Sequence, residues 1–265
     1  MHRKVDRSVL SKISVLFLIS GILSLTISVY IVSQVLAFIG LGLTFWGALF
    51  LLLKPVNFVE GSLLYNATVS AYLTIERIID EFDPKGKGYY IPPYPKDVYL
   101  PEYLKSLKDS VVFISDEENS TMPSIEEMAK GKFMSRNPKG VLITPPGLGI
   151  LTHIEENSKV DFTKIKLNEL DEVLPNIVLR DLNLAKEMAM ELNGDQVHLH
   201  IVDSLYKYLH NVQNSLKSVA VVGDPIASAV ACAVAKASGR AVTIKKQQIS
   251  PDGSAISVWF TIVKG

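Results

Sequence analysis

From Ile13 to Leu53 the chain runs forty-one residues without a charge. The run divides into two apolar spans, residues 14–32 and 36–53, with Ser33 and Gln34 at the break between them. A helix rises about 1.5 Å per residue, so each span reaches or nearly reaches across a hydrocarbon core of about 30 Å. One continuous helix over the whole run would exceed ~60 Å, about twice that thickness. The pattern therefore predicts a helical hairpin. A secretory signal peptide has a single apolar region of about 7–15 residues. Cleavage near Ser20 and Gly21 would leave a second full span behind, so the signal-peptide reading fails. A hairpin buried inside a protein core is the bland alternative. The length of the run, with Trp46 and Phe50 near its exit, speaks against it.

The flanks orient the hairpin. Arg3, Lys4, Arg7 and Lys12 outweigh Asp6 before the first span, Lys54 follows the second, and the turn between them has no charge. Positive residues favour the cytoplasmic side, which predicts a two-span cell-membrane protein with both termini inside. The inverted hairpin is the alternative. Asn66-Ala67-Thr68 has glycosylation spacing, which a cytoplasmic location makes irrelevant. Gly21, Gly40, Gly42 and Gly47, with Ser20, Ser24 and Ser28, thin both spans. Small residues let helices approach closely in lipid, either within the hairpin or against a second copy. Neither span holds an Asp, Glu, Lys, Arg or His, so nothing there points to a proton path, an ion site or a transport substrate. The pair reads as an anchor.

Beyond the anchor the polar and apolar positions alternate as they do in a water-soluble domain. Residues 60–82 predict a juxtamembrane helix, because Leu63, Leu64, Thr68, Tyr72, Ile75, Ile78 and Ile79 recur at helical spacing. The recurrence is too short for a long coiled coil. The proline and glycines of residues 83–88 end it. The aromatic-proline stretch 89–95 predicts a fixed arm over the core, with an exposed recognition surface as the alternative. Residues 110–114 and 141–144 predict strands, 116–120 an acidic loop, and 124–130 a helical turn. Residues 167–192 predict a long helix with an apolar face, bent or divided at Pro175 and ended by Asn193 and Gly194. Residues 196–202 and 218–222 predict strands. Asp224 predicts an N-cap, with Pro225 harmless in the first turn of an alanine-crowded helix that leaves through Gly239. Residues 241–249 and 255–263 predict a hairpin turning at Pro251-Asp252-Gly253, with Ile256, Val258, Phe260 and Ile262 facing the core. The fold class is α+β: an N-terminal transmembrane helical hairpin followed by a soluble mixed helix/sheet domain. The divisions are a basic cytoplasmic N-terminus (1–12), the anchor (13–54), the juxtamembrane helix (60–82) and a cytoplasmic domain (83–265).

Composition narrows the function. Lys and Arg number 27, Asp and Glu also 27, so no bulk charge draws the chain to nucleic acid or to an acidic partner. The basic excess lies beside the membrane, where it meets anionic headgroups. Cys232 is the only cysteine, which excludes an intrachain disulfide framework and a thiolate-rich metal cluster within one chain, and fits a reducing compartment.

The candidate chemistry is sparse. Thr144, Gly147 and Gly149 flank a Pro-Pro-Gly loop, but the loop lacks the Lys-Ser/Thr ending that cradles nucleotide phosphates, so a structural bend is the leading reading. His198 and His200 share one face of a strand and would present two imidazoles to a ligand. Even with His153 or Asp203 nearby they fall short of a complete zinc site, so no metal and no cofactor is predicted. Asp224 is a helix cap before it is an anion site. Cys232, between Ala231 and Ala233, reads as packing rather than as a nucleophile or a lipid-attachment thiol. No Ser/His/Asp spacing or paired-carboxylate motif stands out, and catalysis is not established.

The stretch from Ser218-Val-Ala-Val-Val-Gly-Asp-Pro-Ile to Ile262 resembles the end of the vinyl-reductase-type small-molecule-sensing domains, a group related in fold to vesicle-tethering TRAPP subunits. The resemblance implies a strand, a small-residue helix and a terminal strand pair. Metal-associated members of that group carry extra cysteines near this end; here the terminal hairpin has none, which argues against a cysteine-based metal site. Lys87-Gly88-Tyr89-Tyr90-Ile91-Pro92-Pro93 and Met122-Pro123-Ser124-Ile125-Glu126-Glu127 make the whole chain resemble uncharacterised archaeal membrane proteins with two N-terminal spans. The expectation is a membrane-tethered cytoplasmic sensing or protein-interaction module. Its partners would be the lipid bilayer, a protein partner or a small apolar ligand, and a second copy of itself in a homo-oligomer. The alternatives are an enzyme acting on a membrane-associated substrate around Gly147–Gly149, His198 and His200, or a structural membrane-organising protein.

Overall fold

The computed structural model describes residues 7–52, 61–82, 87–94, 107–116, 122–210 and 216–263. The basic residues Arg3 and Lys4, Asp6, Lys54, the helix break at 83–86, Pro95 and the acidic loop residues 117–120 lie outside them. The chain forms two compact units, Met1–Val59 and Glu60–Gly265.

The first unit is a pair of helices, α1 (Arg7–Ile31) and α2 (Gln34–Leu52). Lys12–Ile31 and Gln34–Leu52 are each long and apolar enough to cross a membrane. Val32, at φ 56°, turns the chain between them. Their seam is made of small residues seven apart: Ser14, Gly21 and Ser28 on α1, Gly40 and Gly47 on α2, all buried. A spacing of seven keeps them on one stripe of each helix. The backbones come so close that a Cβ added at Gly21 would meet Thr44 N at 2.7 Å, and one at Gly40 would meet Leu25 N at 2.8 Å. Ser24 Oγ crosses the seam and donates to Leu36 O at 3.0 Å. Large apolar side chains, among them Leu16, Leu23, Val29, Phe38, Leu41 and Phe45, point outward. That is the arrangement lipid tolerates, where close packing rather than the hydrophobic effect joins the helices. Gly42 takes no part in the seam: it is exposed, and a Cβ added there would meet nothing within 4 Å.

The second unit begins with α3 (Gly61–Phe82). It continues through β1 (Gly88–Ile91), β2 (Val111–Ser115), α4 (Ile125–Ala129), β3 (Met134–Arg136), β4 (Lys139–Ile143) and α5 (Leu148–Ser158). A 3-10 turn leads into α6 (Leu170–Asn176), which runs on as a π turn to Asp181. β5 (Glu187–Asn193), β6 (Gln196–Val202), α7 (Lys217–Val222), α8 (Pro225–Ser238), β7 (Val242–Ile249) and β8 (Ala255–Ile262) complete it. The strands form one antiparallel sheet in the order β3-β4-β2-β1-β7-β8-β6-β5. The fold class is thus α+β, with the apolar helical pair ahead of a mixed helix/sheet unit.

Alternation along the strands separates two faces. Tyr90, Val112, Val141, Val258, Phe260 and Leu199 join the main core on the inner face. Ile91 and Phe113, with Tyr89, Leu142 and Met128 of α4 against them, form a smaller cluster on the outer face. α8 lies on the inner face, and every residue from Pro225 to Lys236 is buried. Its small side chains let it be surrounded by sheet, α5 and the turn before α6. By length and composition Lys217–Ser238 is a third candidate span, but 89% of it is buried inside the unit, which makes it core.

Three local expectations give way. The predicted helix 167–192 stops near Asp181; Asn183 is turned at φ 50°, and 187–193 is an edge strand. Met188 and Met190 go inward while Glu187, Ala189 and Glu191 stay out, a period of two that a helical reading of the same apolar residues conceals. Residues 218–222, rich in β-branched valine, form a helix and not a strand, for tertiary reasons given below. The aromatic-proline stretch starts as β1, a central strand, rather than as an arm.

Cysteines replacing Phe17 and Phe50, whose rings stack at 6.0 Å across the hairpin, test the seam by intrachain disulfide yield in the full chain. Gly42→Leu is expected to leave the yield unchanged. Gly40→Leu, at an overpacking cost of ~1–3 kcal/mol, is expected to lose most of it. Equal yields would contradict the seam.

Candidate functional site

α7 and α8 meet at a corner that side chains from four other parts of the unit hold. Gly223, at φ 66° and ψ 175°, adopts a backbone conformation open essentially only to glycine. Asp224 then caps α8: its Oδ1 accepts from Ala227 N at 2.7 Å. Its Oδ2 lies 2.9 Å from His210 Nε2, and the two side chains are 0% and 1% exposed. A helix of six residues leaves most of its end groups unpaired, and here the neighbours pair them. Glu76 of α3 accepts from Lys217 N at 3.0 Å and Ser218 N at 2.7 Å. Gln247 of β7 donates to Val219 O at 2.9 Å and Ala220 O at 3.0 Å. Tyr72 OH donates to Gly223 O at 2.7 Å, and Tyr90 OH donates to Val222 O. These bonds outweigh the valines' preference for a strand and explain why the segment is helical.

Burial sets the electrostatics of the corner. It pushes the Tyr72 and Tyr90 phenols well above their ordinary range, with the Asp224 charge adding to both. They stay protonated and act as donors. Cys232, in the middle of α8, is likewise pushed by burial up to about 12, so it is an inert packing thiol. Both Asp224 oxygens are buried, Oδ1 in the cap of α8 and Oδ2 against His210 Nε2 without an aligned hydrogen bond, so the side chain serves the corner.

The other candidate residues do not converge with it. Gly147 presses against the first turn of α8: its N–H donates to Ser228 Oγ at 2.9 Å, and a Cβ there would collide with Ala229 N and Pro225 O. The Pro-Pro-Gly loop is thus a close-packed entry to α5. Gly149 is the second residue of α5 and faces open space, since a Cβ added there would meet nothing within 4 Å. His198 and His200 lie on the outward side of β6. His198 stacks on Trp259 at 4.7 Å and 14°, with Nδ1 3.8 Å from Glu191 Oε2. His200 Nδ1 is 2.9 Å from Ser257 Oγ. Asp203 is paired with Lys207, and His153 contacts Asn157 on exposed α5. Among the described residues no three His, Cys, Asp or Glu side chains are arranged to hold a metal ion.

Thr144 lies elsewhere, at a cavity of about 560 Å³ on the outer face. Ile91, Pro92, Pro93 and Tyr94 form one wall, Leu107, Val111 and Leu142 the floor, and Ile125, Met128 and Phe133 the cover. Asp109, Lys132 and Thr144 are its polar members. Tyr94 N donates to Leu107 O at 2.8 Å, which ties the wall to the floor. Ser124 caps α4 through Glu127 N and fixes the cover. Sequence reading missed this site because its residues come from five separate segments. The available signal was the aromatic-proline run followed by the apolar side of α4.

A family model described as a domain of unknown function (DUF7982) matches residues 2–260 of the chain. No curated protein and no solved structure matches it.

The raised thiol and phenols give a pH dependence with a definite sign. The unfolded chain releases the Cys232 proton near the ordinary 9.0 and the Tyr72 and Tyr90 protons near 10.0, while the folded unit keeps them. Stability is therefore full below about pH 9 and falls as pH rises through 9–12. Urea unfolding of the full chain in detergent, followed by circular dichroism, is expected to show the midpoint dropping across that window. A midpoint flat to pH 11 would contradict the assignment.

Proposed function

We propose, for a chain that belongs to the DUF7982 family and so to a domain of unknown function, that the second unit binds a small apolar or amphipathic molecule in the outer-face cavity while the helical pair holds the unit at a membrane. The observation that carries this reading is the cavity. Its volume of about 560 Å³ falls within the range of about 300–1,000 Å³ usual for small-ligand sites, which are mostly apolar with a few polar groups that orient the ligand. Lys132, Asp109 and Thr144 are those groups here. Apolar molecules concentrate in bilayers, so a receptor anchored by two lipid-compatible helices meets them where they are most abundant.

Two further points support the reading. The resemblance of residues 218–262 to the vinyl-reductase-type sensing domains favours ligand recognition over catalysis. Its small-residue helix and terminal strand pair are present, whereas its leading strand is a helix in this chain. The basic N-terminal flank favours a cytoplasmic unit, where a ligand-dependent change would reach a soluble partner or a second copy. The enzyme alternative lacks support, because Gly147 and Gly149 are on the α8 side of the sheet and the two histidines are on the other.

Small-molecule extraction and mass spectrometry of the full chain purified from membranes tests the proposal. An apolar compound in near-stoichiometric amount is expected with the wild type. At least tenfold less is expected with Leu142→Trp, which fills the cavity floor, at an overpacking cost of ~1–3 kcal/mol. The same compounds at the same level in both proteins, with Leu142→Trp folded by circular dichroism, would overturn it.

A further inference from the structure

Charge is distributed unevenly along α3. Residues 61–75 carry none, while Glu76, Arg77, Asp80 and Glu81 crowd the last two turns. Several apolar side chains of the uncharged part do not reach the core: Leu63, 64% exposed, and with it Tyr65 and Leu73. The Tyr65 ring lies 4.5 Å from that of Tyr208, edge to face. That contact joins the start of α3 to the turn after β6, where Leu205 is exposed as well. Asp203 and Lys207, the charged residues of that turn, pair with each other at 3.1 Å. The second unit thus begins in a neutral tip of aliphatic and aromatic side chains.

The hydroxyls of the uncharged part are turned back onto the helix. Thr68 Oγ1 donates to Leu64 O at 2.8 Å, Ser70 Oγ to Asn66 O at 2.8 Å and Thr74 Oγ1 to Ser70 O at 3.2 Å. Ser20, Thr26 and Thr44 make the same bond, to the carbonyl four residues back, in α1 and α2. A hydroxyl bonded within its own helix asks nothing of its surroundings, which suits a medium poor in water. The charged end makes it costly for α3 to cross a bilayer. The medium that fits both ends is the boundary between lipid and water.

We propose that the first turns of α3, with Leu205 and Tyr208 beside them, dip into the interfacial layer of the membrane. This rests on the helical pair crossing that membrane, as proposed above, and not on the cavity. The covalent chain supplies the proximity. Gly61, the first residue of α3, follows Leu52, the last of α2, at a reach of at most about 32 Å of extended chain. The charged end of α3 is a further ~33 Å along the helix. The uncharged end is therefore the one tethered close to the bilayer, and the charged end is the one free to stay in water. Tyrosine favours the interfacial layer because its ring prefers the apolar side and its hydroxyl the wet side. Tyr65 and Tyr208 supply it here. A tip seated in this way would hold the second unit against the membrane surface.

Spin labels on the full chain in nanodiscs test this. Leu63→Cys and Leu205→Cys report on the tip, Glu81→Cys on the charged end of α3, and Leu23→Cys on α1. All four positions are exposed, so the substitutions leave the core intact. The Cys232 thiol is buried and stays protonated, which makes the wild type the unlabelled blank. Microwave power saturation with oxygen and with a polar nickel chelate reads the depth of each label. The labels at Leu63 and Leu205 are expected about 5–10 Å deep in the boundary between headgroups and acyl chains. The label at Leu23 is expected in hydrocarbon and the one at Glu81 in water. Either tip label reading in water, as Glu81 does, while Leu23 reads in hydrocarbon would overturn the inference and leave the membrane reading standing. Leu23 in water would overturn both. A tip label shielded from oxygen and nickel alike would show protein covering the tip, a second copy if spin–spin broadening disappears on dilution with unlabelled chain, and would also overturn it.

Discussion

The corner between α7 and α8 is the constraint on which the second unit depends. α8 is buried on every side, which requires small side chains along its length and a fixed point of entry. Asp224 supplies that entry by closing the first turn of α8 with one oxygen and meeting buried His210 with the other. Tyr72, Glu76, Tyr90 and Gln247 reach the same corner from α3, β1 and β7. β1 and β7 are also fixed by strand pairing, while α3 packs on the core largely through apolar surface, which is non-directional. The contacts of Tyr72 and Glu76 therefore fix how α3 is placed at the corner, and the apolar contacts supply most of the free energy. Placement of β1 and β2 in turn creates the outer-face cavity, because its wall is the continuation of β1.

What could be read in the chain followed the range of the interactions responsible. The apolar helical pair was legible because forty-one uncharged residues form one long, local pattern. The cap at Asp224, the exit at Gly239 and the terminal hairpin were legible because neighbouring residues determine them. The α7 segment was not, because its helical state depends on Glu76 and Gln247, far away in sequence, overriding the valines' own preference. β5 was misread for a related reason: Leu182, Ala185, Met188 and Ala189 fit a helical stripe, while the alternation that decides the matter starts only at Glu187. The candidate residues were scattered by the same sheet. Successive strand side chains point to opposite faces, so His198 and His200 ended opposite the Gly147 loop, and Thr144 fell at a cavity that no short motif announces.

The chain has two physically different units. The helical pair is held by backbone approach at Gly21, Gly40 and Gly47 and presents large apolar side chains outward, a surface suited to lipid and not to water. The sheet unit keeps its buried polar chemistry for architecture, on the inner face at the corner. An apolar cavity opens on the outer face of the sheet, while the inner face packs against α8, α5, α6 and α3.

Hydrogen exchange on the full chain in nanodiscs tests the central role of the corner most directly. In the wild type the amides of residues 228–236 are expected to be among the slowest to exchange, opening only with global unfolding. Replacing Asp224 with alanine removes the cap and leaves His210 buried without its partner, so the same amides are expected to exchange at least about tenfold faster. The exposed helix α4 is expected to change much less. Protection of α8 that is ordinary in the wild type, or unaltered by Asp224→Ala, would contradict the account.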